Sequence, residues 1–171
     1  MLTMSCRRPA NRRAERRTHS VLYGVDGDRS ILQLASSKIA RFRSDVRIVA
    51  GLANRLPLRS DSVDRVFSTL MLHHLTHAET VAALSESFRV LRSGGELHIA
   101  DWGPPHTKMM RATSVMLAFE RSDRIVDNLQ GRIPELCSRA GFRAVHSTRR
   151  FATVFGTLEL IAAAKSECLA A

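Results

Sequence analysis

From residue 20 onward the chain alternates short apolar runs, bounded by breakers, with longer amphipathic stretches. That alternation restricts it to β-α-β units wound into a mostly parallel sheet, because each helix has to bury one face against the strands that flank it. Val21 to Asp26 reads as a strand, and Ser30 to Arg41 as a helix with Ile31, Leu34, Lys38 and Ile39 on one side. Val46 to Ala50 is the next strand, and VDRVFSTLML supplies a third with Val63, Val66 and Phe67 for burial. Residues 78–92 repeat Val81, Leu84, Phe88 and Leu91 at helical spacing, and Ser93-Gly94-Gly95 ends that helix. Glu96 to Asp101 is a fourth strand. Helices are expected over KMMRATSVMLAFERSDR and over residues 123–140, and two final strands over Phe142 to Arg149 and Thr157 to Ala164.

A chain of 171 residues with 44% apolar and 25% charged residues has the length and balance of one globular domain. The net charge of +10 is uneven: residues 1–20 hold six arginines against Glu15, a net +5 in an eighth of the chain. No aromatic platform or recognition helix accompanies that run, so a solvated face is favoured over nucleic acid. Three widely spaced cysteines, Cys6, Cys137 and Cys168, form neither a disulfide framework nor a zinc knuckle, which points to a reducing cytoplasm. No apolar run reaches the ~18 residues that span a bilayer.

Open α/β sheets bind ligands beyond the carboxyl ends of their strands. The candidate residues are therefore Asp26, the 51–60 loop, Ser68 to His74, and Asp101 onward. An ionised Asp26 offers two oxygens on a short stem, which suits a pair of ribose hydroxyls; a helix cap or turn former is the commoner role for such an acid. His73, His74 and His77 form H-H-x-x-H, but no nearby acid or cysteine completes a metal set, and no metal is expected.

GVDGD, GLANRLPLRSDSVDRVFSTLMLHHL, ALSESFRVLRSGGELHIADWG, ELCSRAGF and FATVFGTLELIAAAK, in that order and spacing, resemble the class I S-adenosylmethionine-dependent methyltransferases of the small-molecule and quinone-biosynthesis type. The resemblance implies a Rossmann-like α/β sheet, mostly parallel with an antiparallel last strand, and S-adenosylmethionine as cofactor. It implies that Asp26 binds the ribose and Gly27 lies against the adenine, with Ala53 and Asn54 at the adenine edge. Leu52 stands where the family commonly has an acid. Ser68 and Thr69 would approach the methionine part. His73 is a weak candidate for a general base, a structural or site-edge role being favoured. Trp102, Met109, Met110, Met116 and Phe119 would cover a small-molecule acceptor, or else form ordinary core.

The family's first strand and glycine-rich loop have no counterpart before Val21, since the first glycine is Gly24. The expectation is an N-terminally incomplete sheet: residues 1–20 the remnant of a first helix, 21–165 the methyltransferase-like domain, 166–171 a tail. A missing central strand would leave a gap or force its neighbours together. The leading functional expectation is methyl transfer, with competence of the chain doubtful. A non-catalytic remnant or interaction module is the alternative, a nicotinamide oxidoreductase a third reading, and a nucleic-acid binder the last.

Overall fold

The computed structural model describes residues 2–7, 20–42, 46–105, 124–154 and 156–166. Seven strands form one sheet: β1 (Leu2–Arg7), β2 (Ser20–Asp26), β3 (Val46–Ala50), β4 (Val63–Thr69), β5 (Leu91–Gly103), β6 (Arg143–Thr153) and β7 (Gly156–Ala164). Their order is β3-β2-β1-β4-β5-β7-β6. Among the described residues the helices are α1 (Arg29–Phe42), α2 (His77–Val90), α3 (Val126–Leu129) and α4 (Ile133–Arg139), with a 3-10 turn at Leu72–His74.

β2 and β3 pair in parallel, as do β4 and β5, whereas β7 runs antiparallel between β5 and β6. This is the expected sheet with its reversed last strand. The N-terminus departs from expectation. Leu2–Arg7 is not the remnant of a helix but a strand, and it occupies the central position that was expected to be vacant. It pairs antiparallel with β2 (Leu2 opposite Val25) and with β4 (Leu2 opposite Ser68). The physical reason is backbone satisfaction. An empty slot would orphan the facing N–H and C=O groups of two buried strands, at about 1–3 kcal/mol each.

Three helical expectations also change. In α1 the buried residue is Leu32, with Ala35 and Ile39 half-buried, while Ile31, Leu34 and Lys38 face outward, so the apolar stripe lies one residue away from the expected one. In α2, Leu84 is buried and Phe88 packs on the core as expected, but Val81 is exposed, and Thr80, Ala83 and Ser87 complete the inner face. The helix expected over 123–140 is two short ones, broken where Gly131 adopts φ +67°.

The helix-ending Ser93-Gly94-Gly95 lies within a bulged start of β5, where pairing with β4 shifts register between Val63 and Arg65. A Cβ on Gly95 would come within 2.8 Å of the Arg92 carbonyl oxygen and 3.1 Å of that of Asp64. The core lies between one face of the sheet and α2 and α4. Val63, Val66, Leu97, Ile99 and Ile161 from the strands meet Leu84, Val90, Leu136, Cys137 and Phe142. Burial pushes the Cys137 thiol up to about 12, which leaves it a small apolar filler rather than a nucleophile.

An ion pair fixes the long loop between β3 and β4. Glu86 accepts the Leu56 N–H at 2.7 Å and the Arg89 Nε and Nη2 hydrogens at 2.6 and 2.8 Å; Arg89 in turn donates to the carbonyls of Leu56 and Leu58. The Arg89 hydrogen bond, reinforced by the Leu56 N–H, holds the Glu86 carboxyl below its ordinary value of 4.5. A depressed carboxyl adds stability above its unfolded-state value and loses it as pH falls through the folded-state value. Glu86→Gln is therefore expected to cost about 1–3 kcal/mol near neutral pH. Urea unfolding should show wild type losing that margin as pH falls below 4.5, and the variant losing less.

Candidate cofactor and acceptor site

The strands β2, β3, β4 and β5 all end at one edge of the sheet, and the expected residues lie there in two groups. The first group gathers at the ends of β2 and β3. Asp26 is the last residue of β2, opposite Ala50. Its carboxylate accepts the Asp28 N–H at 2.9 Å, and its carbonyl accepts the Gly51 N–H at 3.1 Å. Asp28 in turn accepts the Ser30 N–H at 2.7 Å, which starts α1. Gly27 faces the 51–54 turn so closely that an added Cβ would stand 2.9 Å from the Leu52 side chain. Leu52 and Arg55 form an isolated bridge that closes this turn around Ala53 and Asn54. Ala53 packs on the core and Asn54 is exposed, so the two present their backbone and a polar tip beside Gly27.

The second group lies at the ends of β4 and β5. Ser68 is buried, and its hydroxyl has no hydrogen-bond partner among the described residues; Thr69 beside it is exposed. Leu70 then takes φ +46°, an uncommon conformation for a branched residue, while its N–H donates to the Ala100 carbonyl at 2.8 Å. This sharp turn carries the chain into Leu72–His74.

Asp101 organises the turn after β4. It is 2% exposed and accepts four hydrogen bonds: from the Met71 N–H at 3.0 Å, the Leu72 N–H at 2.8 Å, the Trp102 N–H at 2.8 Å and the His73 Nδ1 at 2.6 Å. The His73 ring, 9% exposed, lies 3.9 Å from the His74 ring and 6.3 Å, edge-on, from Trp102. His77, first residue of α2, pairs instead with Asp127 at 2.9 Å, and Arg132 stands 2.6 Å from the other Asp127 oxygen, close but poorly aligned for a hydrogen bond. His73 and His77 thus belong to two different carboxylates. No group of three or more His, Cys, Asp or Glu placed to hold a metal occurs among the described residues.

Trp102 lies beside the β6–β7 turn, opposite Leu158, and Asn128 donates to its carbonyl at 3.0 Å. Arg124 donates to the His74 carbonyl at 3.3 Å, so α3 and the residues before it are tied to the same corner. Met109, Met110, Met116 and Phe119 lie outside the described residues. Sequence reasoning placed Asp101 at the ligand edge but did not foresee that it organises the turn after β4. The signal was visible, since an acid ended this strand just as Asp26 ended β2, but its partner His73 lies 28 residues earlier.

A methyltransferase domain model matches residues 4–99, more than half of the chain, and the chain belongs to that family. S-adenosylmethionine is the family's cofactor. Over 140 residues the chain is 30% identical to Methyltransferase GfsG of Streptomyces halstedii, covering 78% of this chain and 48% of that protein. Over 65 residues it is 43% identical to a demethylmenaquinone methyltransferase of Beutenbergia cavernae, covering 38% of this chain and 26% of that one. The chain spans less than half the length of these relatives. In fold it is similar to a SAM-dependent methyltransferase of Methanosarcina mazei, with a TM-score of 0.68 at 17% identity, covering 85% of this chain and 82% of the other. A phosphoethanolamine N-methyltransferase of Haemonchus contortus, solved with S-adenosyl-L-methionine, gives a TM-score of 0.66 at 17% identity over 85% of this chain and 43% of that one.

The residues present fit an adenosyl ligand at one end, where a carboxylate, a glycine held against a loop and a closed turn converge. At the other end the buried, unpartnered Ser68 hydroxyl leaves a polar atom to satisfy. The floor between β5 and β7 is tight: a Cβ on Gly103 would stand 2.6 Å from Glu159 Oε2 and 2.7 Å from its Cβ, and Arg150 pins that carboxylate at 2.9 Å. Gly103→Ala is therefore expected to destabilise the chain by about 1–3 kcal/mol, read as a lower thermal midpoint.

Proposed function

We propose that this chain carries out S-adenosylmethionine-dependent methyl transfer to a small-molecule acceptor. The observation that carries the reading is the placement of Asp26 and Gly27 against the 51–54 turn at one end of the sheet edge, with Ser68 and Thr69 further along it. In this reading Asp26 accepts the ribose hydroxyls, and Gly27 with the backbone of Ala53 and Asn54 borders the adenine. Ser68 and Thr69 border the methionine part. Trp102 walls the acceptor side, with the segment carrying Met109, Met110, Met116 and Phe119 as its cover.

The cofactor supplies a methyl group on a positively charged sulfur that leaves as a neutral thioether. What the protein contributes is position: holding donor and acceptor in line converts a two-body encounter into a unimolecular step. Leu52 in place of an acid removes a carboxylate acceptor from the adenine amino group, so that edge is held by apolar packing and backbone alone. A non-catalytic, interaction-only role is the competing reading, and cofactor binding separates the two.

Calorimetric titration with S-adenosylhomocysteine tests it. The wild-type chain should bind, Asp26→Ala should weaken binding by tenfold or more, and Leu52→Asp should strengthen it. No binding by the folded wild-type chain, or an affinity indifferent to Asp26→Ala, overturns the reading.

A further inference from the structure

We propose that Glu159 and Asn128 determine which methyl acceptor this chain takes, and that the acceptor carries a primary amine whose ammonium group bonds both, as a handle and not as the atom that is methylated. The proposal rests on the methyl-transfer reading above.

Both side chains are buried, and each keeps one oxygen without a donor. Glu159 is 3% exposed; Arg150 donates to its Oε1 from Nε at 2.9 Å, with Nη2 2.8 Å from the same oxygen, and no hydrogen bond among the described residues reaches Oε2. Asn128 is 1% exposed; its Nδ2 donates to the Trp102 carbonyl at 3.0 Å, and its Oδ1 has no partner among the described residues. A carbonyl can only accept, so the amide is held in this orientation and Oδ1 stays the open atom.

The two side chains flank one peptide bond. Asn128 is bonded to the carbonyl of Trp102, and Glu159 Oε2 stands 2.6 Å from where a Cβ on Gly103 would be. Glu159 reaches that point from β7, where it lies opposite Asp101, and Asn128 from α3. They converge at the carboxyl end of β5, the end that carries Trp102. The glycine at 103 keeps open the space above Oε2 that any side chain would fill.

A buried acceptor atom without a donor is unfavourable, and a carboxylate oxygen more so than an amide oxygen. The guanidinium groups at this end are engaged, Arg150 with Glu159 Oε1 and Arg132 with Asp127. What two open oxygens and a buried carboxylate suit is a small cation with several N–H groups. An ammonium has three donors and no acceptor, a hydroxyl has one donor and brings lone pairs of its own, and an anion is repelled. Once bonded to Glu159, the ammonium has no lone pair with which to attack a methyl group. It orients the acceptor, and another atom of the acceptor receives the methyl. Arg150 by itself is enough to join β6 to β7, and a role confined to that joint leaves Oε2 and Oδ1 unexplained.

Trp102 is the one tryptophan of the chain and belongs to the peptide that both side chains flank, so its fluorescence reads this corner. Titration with 2-phenylethylamine and with 2-phenylethanol, the same shape without the charge, should show the amine bound about tenfold or more tightly. Glu159→Gln keeps the shape and removes the charge; it should abolish that preference and leave 2-phenylethanol binding unchanged. Arg150→Gln frees Oε1, and 2-phenylethylamine should then raise the thermal midpoint more than it does in the wild type, because the ammonium takes the place of the guanidinium. That second variant decides the matter where Glu159→Gln does not fold. Equal binding of the two probes, or an amine preference that survives Glu159→Gln, overturns the proposal. So does an amine-induced shift no larger in Arg150→Gln than in the wild type. Each of these leaves the two oxygens to a bridging water only. The titrations are run with and without S-adenosylhomocysteine: absence of its binding is the failure of the methyl-transfer reading, while the amine preference is read in either case.

Discussion

The Asp101 carboxylate is the interaction on which the β4–β5 end of the sheet edge depends. A buried carboxylate is tolerated only when its oxygens are occupied by donors. Here they come from two segments, three from the turn after β4 and one from the residue after Asp101 itself. That arrangement welds the exit of β4 to the exit of β5. It explains why Leu70 can hold a left-handed conformation: the chain must reverse at once to bring the Met71 and Leu72 N–H groups onto the carboxylate, and their hydrogen bonds offset the local strain. His73 and Trp102 sit near one another because both are bound to Asp101.

The other half of the edge is built on a different principle. At the ends of β2 and β3 the chain is organised by short local bonds, Asp26 to the Asp28 N–H and Asp28 to the Ser30 N–H. The 51–54 turn is steadied from a distance, because Glu86 and Arg89 grip Leu56 and Leu58 just downstream. The β2–β3 end is therefore positioned through α2, an element that begins just after the turn carrying His73 at the β4–β5 end. β1 lies between the two halves and is hydrogen-bonded to both Asp26's strand and Ser68's strand, which makes the two ends of the site one sheet.

Much of this was legible in sequence, and the remainder was hidden for physical reasons. Strands β2 to β5 and the β6–β7 hairpin declared themselves because each is a short apolar run between breakers, and Asp26 because an acid closing such a run falls at the ligand edge. β1 was illegible: LTMSCR has no strong periodicity, and its conformation is imposed by the unsatisfied edges on either side rather than by its own propensity. The α1 stripe was misread by one position because Ile31 and Leu34 are more apolar than the Ala35 that is turned inward, so composition and geometry disagreed. The division of 123–140 into two helices rests on Gly131, whose positive φ a helical pattern does not reveal. The His73–Asp101 contact was hidden because spacing along the chain cannot place a carboxylate 28 residues away.

The two halves should differ in rigidity as well as in chemistry. The Asp101 end belongs to β4, β5 and β7, whose inward residues Val66, Leu97, Ile99 and Ile161 are at most 4% exposed, and it carries a carboxylate with four bonds. The Asp26 end leads into α1, where Leu32 alone is buried among the described residues and Ile31 and Leu34 stand 43% and 55% exposed. Segments with few buried apolar contacts open at low free energy, while a packed core opens only with the whole domain. A ligand that bridges Asp26 and Ser68 would therefore gain its affinity partly by ordering the looser end against the fixed one. The direction of that coupling is set by the architecture: the Asp101 corner is already formed, and the end that carries Asp26 is the part left to close on it.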